Sequence, residues 1–264
     1  MLLAIDVGNT NVVFGLFAGA SLERRWRLAT LPDRTADELW VLVSRLFAEH
    51  AVDPARIDGV VMSSVVPTLT RAVADMIARG LGQEALRVDA RNAGLPIGYE
   101  NPAEVGADRL VNGVAAVRMY GGSGRPIVIV DFGTATTFDV ISAAGEYRGG
   151  VICPGVEISA DALYQRAAQL PRVEVRKPAV VIGRSTVASM QSGLFHGYVA
   201  MVEGMIHRLR AEIEGGARPV CIGTGGLAED IAAETAVIEH VEPDLTLAGL
   251  RFVWERIARG GSGG

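Results

Sequence analysis

Ile5-Asp6-Val7-Gly8-Asn9-Thr10-Asn11 and, 125 residues further on, Val130-Asp131-Phe132-Gly133-Thr134-Ala135-Thr136 are two copies of one phrase. Each closes a short apolar run (Leu2 to Ile5; Ile127 to Val130), sets a carboxylate at its tip and turns through glycine into small hydroxyl or amide residues. Each then re-enters an apolar strand, Val12 to Phe17 in the first copy and Thr137 to Ile141 in the second. The pattern predicts strand, tight turn, strand. Glycine lets the backbone pass close to a ligand, and turn N–H groups beside Thr and Asn side chains offer donors to phosphate oxygens. The aspartate repels phosphate, so it must act there through a cation or the cation's water shell. A single Asp-x-Gly turn reads equally well as an ordinary hairpin. Two of them, opening two halves of a 264-residue chain, predict the paired jaws of a phosphate-binding cleft.

Around the first turn the sequence predicts strands at 2–6, 11–17 and 24–29, then a helix at 36–50 opened by a capping box of Thr35 and Glu38. A strand at 57–65, a helix at 68–80, a strand near 86–89, a loop at 91–104 and a helix at 105–120 follow. Gly121-Gly122-Ser123-Gly124 is the expected linker. The second half repeats the opening with strands at 126–131, 136–142 and 146–152 and a helix at 157–168. It continues with a long helix at 184–214, a strand at 219–223, a helix at 227–235, a strand at 237–240 and a closing helix at 244–258. The expected domains are therefore 1–122 and 123–259, with 260–264 a flexible Gly-rich tail. The class is α/β, with mixed sheets flanked by helices and a nucleotide cleft expected between the two halves.

Composition agrees. Hydrophobic residues at 49% and charged residues at 21% permit a substantial core. No apolar run is long enough for a bilayer, and the N-terminus enters a strand directly, so a cytoplasmic protein without a membrane partner is expected. Cys153 and Cys221, the two cysteines, read as small core residues, and His50, His196, His207 and His240 lack metal-ligand spacing. A net charge of −5, with basic residues spread along the chain, disfavours a nucleic-acid partner. Lys177 is the single lysine among 25 basic residues, which excludes a P-loop and a protein-kinase lysine.

Gly106-Ala107-Asp108-Arg109-Leu110-Val111-Asn112 begins a predicted helix. A carboxylate in a first turn is favoured by the helix dipole whatever its job. The alternative is chemical: arginine grips a carboxylate or phosphate with two parallel bonds, and a neighbouring Asp can accept a hydroxyl proton in phosphoryl transfer.

The duplicated turn resembles that of acetate kinases, sugar kinases, heat-shock ATPases and actin, which implies two ribonuclease-H-like, actin-like ATPase domains and the use of ATP. The joint set is narrower. Asp6 to Asn11, Gly106 to Arg109 with Asn112, Asp131 to Asp139, Gly149-Gly150-Val151-Ile152-Cys153-Pro154-Gly155, Ile182 to Thr186 leading into Gln191-Ser192-Gly193, and Gly223-Thr224-Gly225-Gly226 occur in that order. Together they resemble type III pantothenate kinases from residue 1 to about 256.

That resemblance implies ATP-dependent phosphorylation of pantothenate to 4′-phosphopantothenate, the first step of coenzyme A biosynthesis. It makes Asp108 the general base and Arg109 the holder of the substrate carboxylate, with Gly106 and Ala107 beside them. Asp6, Val7, Gly8, Asn9, Thr10, Asn11, Val12 and Val13 would bind ATP phosphates, Asp6 acting on Mg²⁺ through water. Thr134 would touch the phosphates, and Gly225 and Gly226 would lie against adenosine. Asp131 would bind a monovalent cation, K⁺ or NH₄⁺, while Tyr99 and Thr186 would line the pantothenate pocket. Read alone, Tyr99 is more often a packing residue than a ligand contact, and Thr186 reads equally well as a helix N-terminal hydroxyl. The resemblance also implies a homodimer with the substrate site near the subunit interface, the apolar 187–206 stretch offering the surface. Two other functions compete with this one: another small-molecule kinase of the same superfamily, and a regulatory protein like the Bvg accessory factors.

Overall fold

The computed structural model describes residues 1–260. In chain order the elements are β1 (Leu2–Val7), β2 (Asn11–Ala18), β3 (Ser21–Ala29), α1 (Ala36–Glu49), β4 (Gly59–Ser64), α2 (Pro67–Leu81), β5 (Leu86–Arg87) and α3 (Ala107–Tyr120). They continue with β6 (Ile127–Phe132), β7 (Ala135–Ile141), β8 (Tyr147–Pro154), α4 (Val156–Arg166), α5 (Thr186–Glu212), β9 (Val220–Gly225), α6 (Ala228–Ala232), β10 (His240–Val241) and α7 (Leu245–Gly260).

Both sheets are five-stranded and built alike, in the orders β3-β2-β1-β4-β5 and β8-β7-β6-β9-β10. In each, the first three strands form an antiparallel meander, and two later strands join in parallel beside the first. This is the mixed α/β architecture that the duplicated turn predicts.

Alternation along β1 divides its residues between two faces. Leu3, Ile5 and Val7 enter a core with Leu39, Val43 and Phe47 of α1 and Leu69, Val73 and Ile77 of α2. Each such buried side chain contributes roughly 1.5–3 kcal/mol. Thr35 caps α1, its hydroxyl accepting from Glu38 N at 3.3 Å while Glu38 accepts from Thr35 N at 2.8 Å. The other face, with Leu2, Ala4 and Asp6, is the one that α7 covers. Gly59, in register with Leu2, has no room for a side chain because the Trp254 ring of α7 lies against it.

In the second sheet Val128, Val130, Phe132 and Phe138 share a core with Phe195, Val199 and Val202 of α5 and Ile231 of α6. Asp131 and Asp139 therefore project from the opposite face of their strands.

The chain divides into one compact unit of Met1–Arg118 plus the segment that begins at Asp244, and a second of Met119–Pro243. Two contiguous halves meeting at 122/123 are the expectation from sequence; in this division α7 goes with the first unit. Its buried Leu247, Leu250 and Val253 cover the first sheet, a tertiary choice that amphipathic spacing leaves open. The expected linker is a 3₁₀ turn at Gly121–Ser123 closed by Gly124 at φ 67°. The last small helix and strand of the second unit are shorter than the sequence suggests, and Cys153 is half-buried rather than in the core. Of the expected tail, residues 261–264 lie outside the described residues.

Candidate functional site

The β1–β2 turn is closed by Gly8 N donating to Asn11 O at 3.0 Å. The end of β3 braces it: Thr30 Oγ1 donates to Gly8 O at 2.7 Å and Thr30 N to Thr10 O at 2.9 Å. Asn9 and Thr10 are exposed at the tip, Gly8, Asn11 and Val13 are half-buried, and Val7 and Val12 are buried. A Cβ on Gly8 would stand 3.2 Å from Asn11 O, so the turn has little space for a larger residue.

Asp6 lies at the C-terminal end of β1, in register with Ser63 of the parallel strand β4. Ser63 Oγ donates to Asp6 Oδ1 at 2.7 Å, and Ser63 itself is fully buried. Burial raises the Asp6 pKa to about 7, the negative charge of Asp108 adds to the rise, and the Ser63 hydroxyl opposes it. Two carboxylates thus face one region of the first unit, a charge arrangement that suits a divalent cation.

Asp108 stands in the first turn of α3. Gly106 precedes it, and a Cβ there would lie 2.6 Å from Asp108 Oδ1, so a larger residue would turn the carboxylate aside. The same oxygen accepts from the Arg109 backbone N–H at 2.7 Å. Burial pushes the Asp108 pKa up, against the Arg109 N–H and guanidinium, which pull it down. Two contacts with α7 fix α3: Thr246 Oγ1 donates to Asn112 Oδ1 at 2.8 Å, and Gly249 lets the helices meet where a Cβ would stand 2.0 Å from Val111 O. Gly106 and Ala107 line a cavity of about 540 Å³ with Ser64, Val65, Arg87 and Asp89. Tyr99 is partly exposed on the loop leading to α3.

The second turn repeats the first with one residue fewer, Gly133 N donating to Ala135 O at 3.1 Å. Asp131 is in register with Thr224 of β9, as Asp6 is with Ser63. Two glycines press against this turn. A Cβ on Gly225 (φ 91°) would stand 2.5 Å from Phe132 O and 2.8 Å from Asp131 Oδ1, and one on Gly155 would stand 2.2 Å from Thr134 O. Phe132 O and Asp131 Oδ1 therefore both lie close against the Gly225 backbone, an approach that only glycine permits. Gly226 N donates to Phe132 O at 3.1 Å, and Thr134 is exposed at the tip. Behind Asp131, the fully buried Asp139 accepts from Tyr147 OH at 2.8 Å and Thr137 Oγ1 at 3.2 Å.

Thr186 is elsewhere in the second unit, exposed at the start of α5, where Ser185 Oγ accepts from Ala188 N at 3.2 Å. It lines a groove of about 1360 Å³ with Ser159, Arg166, Arg184, Met190 and Tyr198. One residue of these sites, Ser63, escaped the sequence reading, and Gly155 stood in a quoted motif without a role. For Ser63 a signal existed, since hydroxyls ending an otherwise apolar buried strand (Val60-Val61-Met62-Ser63-Ser64) need a polar partner.

The sequence model of the type III pantothenate kinase family matches residues 2–208. Proteins of that name from Moorella thermoacetica and from Anaeromyxobacter sp. (strain K) are each 51% identical over 257 residues, covering 97% of this chain and 99% of their own length. The chain belongs to the type III pantothenate kinase family. Membership makes it an enzyme, a kinase acting on a small molecule, and a kinase family uses ATP. Solved structures carry the fold further afield. A Campylobacter jejuni protein assigned to the Baf family of transcriptional activators aligns with TM-score 0.59 at 16% identity, covering 97% of this chain and 99% of that one. The inorganic polyphosphate/ATP-glucomannokinase of Arthrobacter sp. strain KM aligns with TM-score 0.51 at 17% identity, covering 98% of both chains. These likenesses are of fold alone. No described helix is long and apolar enough to cross a membrane.

Proposed function

We propose that the protein transfers the γ-phosphoryl group of ATP to the primary hydroxyl of pantothenate, giving 4′-phosphopantothenate at the start of coenzyme A biosynthesis in the cytoplasm. The observation that carries this reading is Asp108. Its carboxyl sits at the first turn of α3 with its pKa pushed up by burial, beside Arg109, in a chain half identical to proteins named for this activity.

Phosphoryl transfer asks for in-line positioning and charge stabilisation more than covalent chemistry. Asp108 accepts the proton of the attacking hydroxyl, and its raised pKa makes it a stronger base than an ordinary carboxylate; such a base contributes roughly 10²–10⁴-fold in rate. Arg109 holds the substrate carboxylate with paired N–H donors. The 540 Å³ cavity beside Gly106 and Ala107 is open to a small acceptor; Tyr99 and Thr186 are further proposed contacts for pantothenate. The turn from Asp6 to Val13 binds phosphates through its backbone donors, Thr134 binds them from the second turn, and Gly225 and Gly226 leave the adenosine side unobstructed. Asp6 would hold Mg²⁺ through water and Asp131 would hold K⁺ or NH₄⁺, ions that would supply positive charge against the phosphates. The paired negative charges of Asp6 and Asp108 are what fit the divalent ion.

A second copy of the chain is the proposed partner. Val180, Val181 and Ile182 are 64, 65 and 81% exposed, and the groove beside Thr186 lies between α4 and α5. Apolar surface of that kind is usually covered by a subunit.

The test is product formation. With Mg-ATP, pantothenate and K⁺, mass spectrometry should find pantothenate carrying one added phosphoryl group, and far less of it when Na⁺ replaces K⁺. Unmodified pantothenate, from protein shown to bind ATP, would overturn the acceptor assignment.

A further inference from the structure

The two halves repeat more than their turns. On the parallel strand beside each aspartate, in register with it, stands a buried hydroxyl residue: Ser63 opposite Asp6 and Thr224 opposite Asp131. Two residues further on, the backbone repeats as well, Val65 N donating to Val7 O and Gly226 N to Phe132 O, both at 3.1 Å. In the first half the side-chain bond is explicit, with Ser63 Oγ 2.7 Å from Asp6 Oδ1. The other oxygen of Asp6 is on the side of the turn, Oδ2 standing 4.0 Å from where a Cβ on Gly8 would be.

We propose that Ser63 is a positioning residue for Mg-ATP, holding the Asp6 carboxylate by Oδ1 so that Oδ2 is presented to the phosphate turn. The inference rests on the reading of Asp6 as the carboxylate that handles Mg-ATP. A carboxylate on a strand end has two soft torsions, and a hydroxyl donor from a buried, hydrogen-bonded strand removes that freedom without adding charge. Ser63 suits this use because its own position is fixed: it is fully buried, and β4 lies in register between β1 and β5. The partners of metal-binding carboxylates typically matter by 10–100-fold in metal affinity. Thr224 shows which replacement the frame tolerates, since threonine occupies the equivalent position in the second half.

The experiment compares wild type, Ser63→Ala, Ser63→Thr and Asp6→Asn by titrating the non-hydrolysable analogue AMPPNP calorimetrically with and without Mg²⁺. The quantity read is the factor by which Mg²⁺ tightens binding. Ser63→Ala should lose about 10-fold or more of that factor, with little change in the pantothenate KM, and Ser63→Thr should recover most of it. A purely structural role would instead lower the thermal midpoint and leave the Mg²⁺ factor alone. A Ser63→Ala factor within twofold of wild type, while Asp6→Asn abolishes it, overturns the inference and spares the Asp6 reading. If Asp6→Asn keeps the full factor, the Asp6 reading falls and the inference with it.

Discussion

Asp6 is held near the midpoint of ionisation at neutral pH. Its pKa is raised to about 7 by burial first and by Asp108 second, whereas in the unfolded chain it titrates as an ordinary carboxyl near 4. The folded state therefore binds the proton more tightly than the unfolded one, so this group costs stability progressively as pH rises from about 4 to about 7. Asp6→Asn removes that dependence. The stability advantage of Asp6→Asn over wild type, measured by urea unfolding without nucleotide, should grow by about 2–3 kcal/mol between pH 5 and pH 8. A difference that stays constant across that range would mean the carboxyl is not desolvated as described. Burial and the neighbouring charge come from three separated segments (β1, β4 and the start of α3), which is why the identity of Asp6 was legible in the sequence and its ionisation was not.

At the scale of elements, close approach between backbone and glycine sets the geometry. Gly249 of α7 lies on the Val111 carbonyl of α3, the helix that carries Asp108. Gly249→Ala should cost about 1–3 kcal/mol by overpacking and lower kcat as well, because α3 must shift. Unchanged urea midpoint and unchanged turnover would show that the contact does not position α3. Gly155 bears on the second turn in the same way, its would-be Cβ 2.2 Å from Thr134 O. Gly155→Ala should lose a similar amount of stability and weaken nucleotide binding in calorimetry, and intact nucleotide affinity would argue against a role for that turn. Strands and helices themselves were readable: the hairpin turns, the Thr35 capping box and the alternation of β1 and β6 are local signals. Register is not local. The pairing of Asp6 with Ser63 depends on β4, more than fifty residues away, and no spacing rule announces it. The strand expected at 237–240 shrinks to two residues because its pairing with β9 covers only His240 and Val241.

On the scale of the whole molecule, the duplication was legible because two copies of one phrase open two similarly ordered sheets. The return of the chain to the first unit was not. Leu247, Leu250 and Val253 make α7 amphipathic, and amphipathicity says that a helix packs without saying on which sheet. The exposed run Val180-Val181-Ile182 belongs to this scale too. Sedimentation of the intact protein should give twice the chain mass of 27.8 kDa, and Ile182→Asp should shift it towards the monomer. A monomer in the wild type would remove the proposed subunit partner.

The central claim is that Asp108 takes the proton from pantothenate. Steady-state ADP release with saturating Mg-ATP, pantothenate and K⁺ should fall at least about 100-fold in Asp108→Asn, with circular dichroism and AMPPNP affinity like wild type. Turnover within a few-fold of wild type in that folded variant would contradict it.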